Sequence, residues 1–293
     1  MKKTAYYILA ILIVLNIISW SYLFSIRDNL FKVVFFDVGQ GDGIFIETPD
    51  KKQIVIDGGS DYNLMAEKIS KEIPFWDKEL DAIILTHTDQ DHMNGLFGVL
   101  EKYKVNNILW TGIEKDGAEE KIKNWKNMLD KEVNNDGAKI GLIKNINSII
   151  DNNMVLDFLW PEKISEKINK NDTNDYSLVS KMCYFKTCFL FTGDMSFDEE
   201  NRVIRNESVK ADILKVAHHG SKFSSSNEFL SAVSPKLAII EVGKNNYGHP
   251  SLEAIKRLED NGIKVARTDK NGNITVFSDG QNYKIVYEKI IVD

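Results

Sequence analysis

The chain contains little cysteine and histidine and no excess of positive charge, and each shortage argues against a class of protein. Its two cysteines lie outside any C-x-x-C motif and have no second cluster beside them, so a zinc site built from thiolates is not expected. The formal net charge of −6 argues against a broadly basic nucleic-acid-binding protein, although it allows a local positive site. No repeat or low-complexity linker divides the 293 residues, so one large α/β domain or two small ones are expected.

Both cysteines belong to the segment KMCYFKTCFLF, whose pattern predicts a hairpin with a tight turn at Phe185 and Lys186. Such a turn would place Cys183 opposite Cys188, and an exported domain would allow the two to form a disulfide. Two buried free thiols are the alternative.

One segment is apolar for long enough to suggest a membrane. Ala5–Phe24 has no charged residue and is close to the roughly 20 residues that a membrane-spanning helix needs. Lys2 and Lys3 favour a cytoplasmic N-terminus, and no A-x-A-like cleavage site follows. The sequence therefore predicts a single-pass membrane anchor and linker over residues 1–30, with a domain over residues 31–293 outside the cytoplasm. A cleaved signal peptide and a buried helix are the alternatives.

The remaining chain mixes short apolar runs with helical patterns. Predicted strands at Phe31–Asp37, Leu80–Leu85 and Asp212–Ala217 each end at a polar cluster. A charged segment at Asp116–Val133 predicts a surface helix. Intermixed strands and helices favour an α/β fold in which helices cover sheets, and polar clusters after strands favour one functional rim.

The densest polar cluster lies in LTHTDQDHMNG, where His87, Asp89, Asp91 and His92 fall within six residues. Imidazole nitrogen and carboxylate oxygen are ligands that suit zinc, manganese or iron. Without a metal the two carboxylates would repel each other, and two cations sharing the cluster would explain so many ligands. A solvated loop is the alternative, but all five histidines follow predicted strands, at positions 87, 92, 218, 219 and 249.

Two further aspartates stand at strand ends beside glycine. Asp194, in FLFTGD, is the candidate to bridge two cations, and a cap of the following helix is its alternative role. Asp57, in IVIDGG, is expected to orient a histidine ligand from behind or to cap a turn.

These motifs together resemble a known family. HTDQDH is similar to the H-x-H-x-D-H signature of the metallo-β-lactamase fold, with Asp89 in place of the second histidine. The ordered series DVGQGD, IDGG, LTHTDQDHMNG, NDYSLV, FTGD, LKVAHHGS, YGHP and RTDKNG resembles the ComEC-like branch, extracellular hydrolase-like domains related to the DNA-uptake protein ComEC. The resemblance covers Phe31 to Asp293. It implies an αββα sandwich with a two-metal site at the rim between its sheets, following the predicted N-terminal transmembrane helix.

The resemblance also implies roles for individual residues. His87 and Asp89 would hold one zinc or manganese ion, Asp91, His92 and His249 would hold a second, and Asp194 would bridge them. In related phosphodiesterases the HHG histidine contacts the substrate phosphate. The catalytic candidates are therefore Asp91, His218 and His219, with His218 favoured for the site and His219 for orientation. Residues expected behind the ligands or at the substrate are Gln40, Asp42, Asp57, Asn174, Asp175, Ser221 and Lys222.

The sequence departs from the family pattern in two respects. No histidine lies between His92 and His218, so the usual third-motif histidine is missing, and Asn174 or Asp175 is expected in its place. Together with Asp89, this replacement would give the first ion an oxygen-rich ligand shell, so manganese is a candidate as well as zinc. ComEC also carries its domain on a many-helix channel, whereas one anchor is predicted here, so DNA transport is not carried over.

The function expected from these residues is metal-assisted hydrolysis of a phosphodiester, with DNA as a candidate substrate. Lys215, Lys222 and Lys244 lie beside the motifs and are candidates to supply positive charge to the strand. Another hydrolase on this fold, such as a lactonase or amidohydrolase, and a non-catalytic membrane-anchored binding module are the alternatives. No protein partner is inferred.

Overall fold

The computed structural model describes residues 2–27, 30–143, 148–161, 170, 172–206 and 208–289. The helices are α1 (Lys2–Arg27), α2 (Leu64–Glu72), α3 (Gln90–Lys102), α4 (Glu119–Lys131), α5 (Phe197–Asn206), α6 (Asn227–Val233), α7 (Leu252–Asp260) and α8 (Thr268–Asn271). The strands are β1 (Phe31–Phe35), β2 (Ile44–Glu47), β3 (Gln53–Ile56), β4 (Glu79–Leu85), β5 (Lys104–Trp110), β6 (Lys139–Leu142), β7 (Ser148–Asp151), β8 (Met154–Trp160), β9 (Val179–Tyr184), β10 (Thr187–Phe191), β11 (Ile213–Lys215), β12 (Leu237–Ile240), β13 (Lys264–Arg267), β14 (Ile274–Ser278) and β15 (Tyr283–Tyr287).

The strands form two sheets that pack face to face with helices outside them. The first sheet has the order β15-β14-β1-β2-β3-β4-β5-β6, and the second has the order β13-β12-β11-β10-β9-β8-β7. Alternate residues of β1 point to opposite faces, because Phe31, Val33 and Phe35 lie in the core between the sheets and Val34 lies under α2, α3 and α4. A third core joins the second sheet to α5, α6 and α7. The predicted αββα sandwich is confirmed.

Strand direction brings the functional loops to one rim. β1 and β3 each pair antiparallel with β2, so they run in the same direction, and β4 and β5 continue parallel to β3. In the second sheet β10, β11, β12 and β13 are parallel. The backbone N–H of Leu178 donates to the carbonyl of Thr86 at 3.0 Å, which joins the rims of the two sheets.

Helix α4 is more than the surface helix that its charged composition predicts. Ile122, Trp125 and Leu129 recur at helical spacing and are buried in the core that α3 shares. The Trp125 ring lies 5.8 Å from that of Phe97 and 6.4 Å from that of Trp110. The prediction of a surface helix is therefore wrong for the apolar face of α4. The high overall charge of the segment does not reveal the apolar residues at helical spacing.

The cysteines lie directly opposite each other in the β9–β10 hairpin and form a disulfide. Phe185 and Lys186 make the predicted turn, and Phe185 adopts a positive φ of 51°. Of the two alternatives for the cysteines, the structure contains the bonded pair.

The N-terminal segment is helical, and its side chains are exposed from Tyr6 to Trp20. Across the part of the chain that the structure describes, no helix combines the length and apolar character required to cross a membrane. The predicted transmembrane anchor is therefore not confirmed. Met1, Asp28 and Asn29 of the predicted anchor and linker lie outside the described residues, and the boundary at residue 30 stays a prediction.

Replacing Trp125 with alanine should lower the free energy of unfolding by about 3–5 kcal/mol, because the change removes a buried indole and leaves a cavity. Urea denaturation followed by circular dichroism measures the loss. Trp76→Ala is the matched control, since Trp76 is 72% exposed. Its replacement should change stability by less than about 0.5 kcal/mol. Equal losses in the two variants would contradict the core position of α4.

Candidate metal centre

The cluster begins where β4 ends and α3 starts. His87 lies in the short loop and His92 in the first turn of α3, and their ring centroids are 4.1 Å apart. Asp57, at the end of β3, accepts hydrogen bonds from the backbone N–H of Thr86 at 2.9 Å and from its hydroxyl at 2.7 Å. A neighbouring strand end therefore fixes the start of the loop.

Glycine residues allow the backbone of α3 to pack directly against the backbone of the loop that follows β3. The N–H of Gly58 donates to the carbonyl of His92 at 2.7 Å, and the N–H of Gly95 donates to the carbonyl of Gly59 at 3.0 Å. A Cβ on Gly95 would lie 1.9 Å from the carbonyl oxygen of Gly58, far inside contact distance. Gly95, the last residue of LTHTDQDHMNG, is thus required for the position of His92.

The imidazoles of His87, His92 and His219 lie close to the carboxylate of Asp194. The Nε2 atoms of His92 and His219 lie 3.4 Å and 3.5 Å from Asp194 Oδ2. Two overlapping sets could hold a cation, one of His87, His92 and Asp194 and the other of Asp91, His92 and His219. The donor atoms within each set lie within 4.8 Å of one another. Loops far apart in the sequence therefore meet at one point, as expected, with Asp194 between them.

The opposite nitrogen of each of these imidazoles is already held. Nδ1 of His92 lies 2.8 Å from Asp57 Oδ2, that of His219 lies 2.9 Å from the Glu241 carbonyl, and that of His87 lies 3.0 Å from Thr86 Oγ1. The three Nε2 atoms are buried and have no hydrogen-bond partner within the described ranges. Buried nitrogens without partners, each oriented from behind by an oxygen, fit the ligand shell of a divalent cation.

Charge inside the cluster is balanced by a buried lysine. The ammonium of Lys215 contacts the carboxylate of Asp42, lies 3.8 Å from Asp194 Oδ1 and donates to the carbonyl of Gly193 at 3.0 Å. Burial alone would lower the pKa of Lys215, but Asp42 and Asp194 raise it. Lys215 therefore supports the cluster from behind, which corrects the expectation that it would face the substrate.

Burial and nearby charged groups shift the pKa values of the clustered histidines. Burial and the charge of His92 lower the pKa of His87 to about 4. Burial opposes protonation of His219 as well, yet Asp194 and Asp42 raise its pKa to about 10. The pKa of His92 is raised well above its usual range, because Asp194, Asp42 and Asp57 outweigh burial. Since a metal ligand must be a neutral imidazole, cation binding here has to release protons.

The two adjacent histidines of the HHG motif face different surroundings. His219 is buried, and its Nε2 lies 3.4 Å from Asp91 Oδ2 as well as beside Asp194. The side chain of His218 is 32% exposed, with Nε2 at 3.8 Å from Asp194 Oδ2. The structure thus reverses the expected arrangement, because His219 lies among the ligand candidates and His218 lies at the opening. Both adopt positive φ, near 50°, which turns the two rings to different sides.

In front of Asp194 lies a cavity of about 730 Å³, here called the metal cavity. Its lining includes Asp91, Asn174, Asp194, His218, His219 and His249. The ring of His249 lies 5.3 Å from that of His218, and its Nδ1 is buried without a hydrogen-bond partner among the described residues. His249 therefore faces the site, although it belongs to neither of the two ligand sets.

Asp89 lines the metal cavity but belongs to neither ligand set. Its two carboxylate oxygens accept hydrogen bonds from the ammonium of Lys115 and the hydroxyl of Thr173. The structure thus does not bring Asp89 into the cluster where the sequence analysis placed it, because Lys115 competes for its charge. Its role as a ligand stays a prediction.

Of the two candidates for the missing third-motif histidine, Asn174 faces the metal cavity. Its Oδ1 is buried and has no hydrogen-bond partner in the described part of the chain. Asp175 lies outside the lining, and burial together with the charge of Glu199 raises its pKa to about 6. The position that this motif usually occupies thus presents an amide oxygen to the site.

The remaining predicted residues divide into two groups. Asp42 is buried, forms a third possible ligand set with Asp57 and His92, and lies 3.3 Å from Nδ1 of His219. Gln40 lines the metal cavity. Ser221 and Lys222 lie outside its lining. The Ser221 hydroxyl accepts a hydrogen bond from the N–H of Phe223, and the Lys222 ammonium lies 4.9 Å from the Phe223 ring.

Glu241, which directly follows β12 and precedes the YGHP loop, is a buried residue of the site that the sequence motifs did not predict. Its Oε1 accepts a hydrogen bond from the N–H of Gly43 at 2.9 Å, and its backbone carbonyl orients His219. Burial and the charge of Asp42 raise the pKa of the Glu241 carboxyl well above its usual range. An acidic residue directly after the apolar run LAII was the signal available in the sequence.

Comparison with known proteins agrees with this geometry. Residues 36–141 match the metallo-β-lactamase superfamily. The chain is 32% identical over 262 residues to ComE operon protein 3 of Bacillus subtilis (strain 168), a match that covers 83% of this chain and 32% of that protein. It is 27% identical over 251 residues to competence protein ComA of Neisseria gonorrhoeae, covering 85% of this chain and 32% of that protein. The chain thus spans about a third of the length of these curated relatives.

Among solved structures, the chain is similar to CmlA, a diiron β-hydroxylase from Streptomyces venezuelae. The TM-score is 0.53 at 12% sequence identity, over 84% of this chain and 53% of that chain. At this level of identity the likeness shows the shared fold alone.

Asp57→Asn should weaken binding of manganese or zinc by about 10–100-fold, because it removes the charged oxygen that orients His92. Isothermal titration of the purified protein with each metal measures the change. Asp61→Asn is the control, since Asp61 lies in the same loop region but caps backbone N–H groups at the surface. Unchanged metal affinity in Asp57→Asn would contradict the role given to His92.

Lys215→Met should lower the free energy of unfolding by about 3–5 kcal/mol without added metal, because it leaves buried carboxylates uncompensated. Added manganese or zinc should restore part of the loss by supplying the missing positive charge. Denaturation with and without metal measures both effects. Lys236→Met is the control, because Lys236 pairs with Asp212 at the surface, where a pair contributes at most about 1 kcal/mol. A Lys215→Met protein as stable as the wild type would contradict the charge balance.

Proposed function

The chain is a ComEC-like hydrolase of the metallo-β-lactamase superfamily, and from that premise we propose that it hydrolyses phosphodiesters of nucleic acid outside the cytoplasm. One observation carries the proposal. Three buried imidazole nitrogens, which have no hydrogen-bond partner among the residues that the structure describes, lie near Asp194, and Asp194 lines an open polar cavity. Such an arrangement suits a metal centre that is accessible to a large substrate.

The proposed centre holds two divalent cations. The two ligand sets share His92, and Asp194 lies close to both His92 and His219, which supports a pair of neighbouring ions. The nitrogen and oxygen donors are compatible with zinc and with manganese. A bound divalent cation would lower the pKa of a coordinated water from about 15.7 to about 7 and would polarise a phosphoryl oxygen.

The chain's own side chains supply the remaining functions. His218 stands at the opening of the cavity and is partly exposed, so a protonated imidazole can donate its Nε2 proton to a leaving oxygen. Lys244 lines the same cavity and can donate hydrogen bonds to non-bridging phosphate oxygens, whereas the amide oxygen of Asn174 is suited to contact a cation. Lys215, Asp42 and Asp57 hold the ligands in place from the protein side.

The shape of the surface supports a polymeric substrate. A second cavity of about 1140 Å³ adjoins the metal cavity, and the two share Asp89, Gln90, Asp91 and Tyr247 in their linings. A substrate bound at the metal cavity can therefore extend beyond it. The similarity to proteins named for competence supports DNA as the nucleic acid.

The disulfide supports the proposed location. Disulfides persist in oxidising compartments and are rare in the cytosol, so the Cys183–Cys188 bond favours a domain outside the cytoplasm. The proposal includes attachment to the membrane through the apolar run Ala5–Phe24, as the sequence predicts.

The purified protein should hydrolyse bis(p-nitrophenyl) phosphate and DNA when manganese or zinc is present. Asp194→Asn should lower this activity more than about 100-fold, beyond the range typical of residues that act from behind the ligands. Asp260→Asn is the control, because its exposed carboxylate pairs with Lys256 on the surface of α7, away from the ligand candidates. Absence of turnover on every phosphodiester with either metal would overturn the proposal.

A further inference from the structure

One aromatic side chain at the mouth of the metal cavity is largely exposed. Tyr247 is 77% exposed, although large apolar surfaces are usually buried, and it lines both the metal cavity and the larger cavity beside it. Its ring lies 6.0 Å from that of His249, with the two planes inclined by 34°. Tyr247 therefore stands where a substrate leaving the metal cavity would pass.

The loop that carries Tyr247 is held in shape by one side chain. The amide nitrogen of Asn245 donates to the carbonyls of Gly243 and His249 at 2.9 Å and 2.8 Å. Its amide oxygen accepts from the N–H groups of Tyr247 and His249 at 3.0 Å and 3.1 Å. The loop is thus pre-organised, so little conformational entropy is lost when a ligand contacts the exposed ring.

Positive charge lies on the same loop. Lys244 is exposed, lines the metal cavity and forms no ion pair with any residue that the structure describes. A free ammonium and an exposed aromatic ring beside one groove are the combination that single-stranded nucleic acids use, with phosphates at the cation and a base stacked on the ring. The bases of a duplex are already stacked on each other and cannot occupy such a platform.

We propose that Tyr247 is a stacking platform for an unpaired nucleobase next to the phosphate at the metal cavity, and that the substrate is single-stranded. The inference rests on the proposed phosphodiesterase function and deepens it. Tyr247 contributes to binding rather than to the chemical step, because it faces the cavity from its outer edge. Because any base can stack on the ring, the protein should prefer single strands over duplexes without preferring a particular sequence.

The test compares a single-stranded oligonucleotide, the matching duplex and an abasic phosphodiester chain of equal length. Tyr247→Leu should raise KM about tenfold for the single strand, since stacking of one base is worth roughly that factor. KM for the abasic chain should stay unchanged, and Tyr247→Phe should retain wild-type behaviour. Phe75→Leu is the control, because Phe75 is 80% exposed and precedes the start of β4, whereas the site loop follows the end of that strand.

Equal losses on the single strand and the abasic chain would overturn the inference, because Tyr247 would then act by positioning His249. An unchanged KM for the single strand in Tyr247→Leu would overturn it as well. Equilibrium binding of a labelled oligonucleotide separates this inference from the catalytic proposal. If the wild type cleaves no phosphodiester, Tyr247→Leu should still bind the single strand about tenfold more weakly than the wild type does. A wild type that binds no single strand would overturn the inference by itself.

Discussion

The architecture of the site depends on the buried negative charge of Asp194. Transferring a carboxylate from water into a protein interior costs several kcal/mol unless positive groups compensate it. His92 and His219 approach one of its oxygens and Lys215 approaches the other. His92 follows β4 of the first sheet, whereas Lys215 and His219 come from the end of β11 in the second. The need to balance this one charge explains why loops from both sheets converge here.

A large part of this arrangement follows from local sequence patterns. Strand periodicity and the clustering of polar residues after strands predict sheets covered by helices and the rim where His87, His92 and Asp194 meet. The αββα arrangement is implied by the family resemblance. The same patterns also identify Asp57 as the group that orients a histidine, since IVIDGG ends a strand beside the cluster. Each of these inferences needs only residues that are near one another in the chain.

The parts that sequence analysis missed depend on distant contacts or on the conformation of single residues. Asp89 pairs with Lys115, which lies 26 residues later, and no local pattern signals that pairing. His218 and His219 are adjacent and chemically identical, so only their consecutive left-handed backbone conformations decide which ring is buried. The burial of Trp125 was also not predicted, because the many charged residues of α4 indicate a surface helix. Only the spacing of its apolar residues shows that one face is buried.

The distribution of the ligand candidates between the two sheets has a consequence for biogenesis. His87 and His92 follow a strand of the first sheet, whereas Asp194 and His219 follow strands of the second. The first sheet itself is completed only when β14, from the far end of the chain, pairs with β1. The complete set of ligand candidates is therefore brought together only when the two sheets pack against each other.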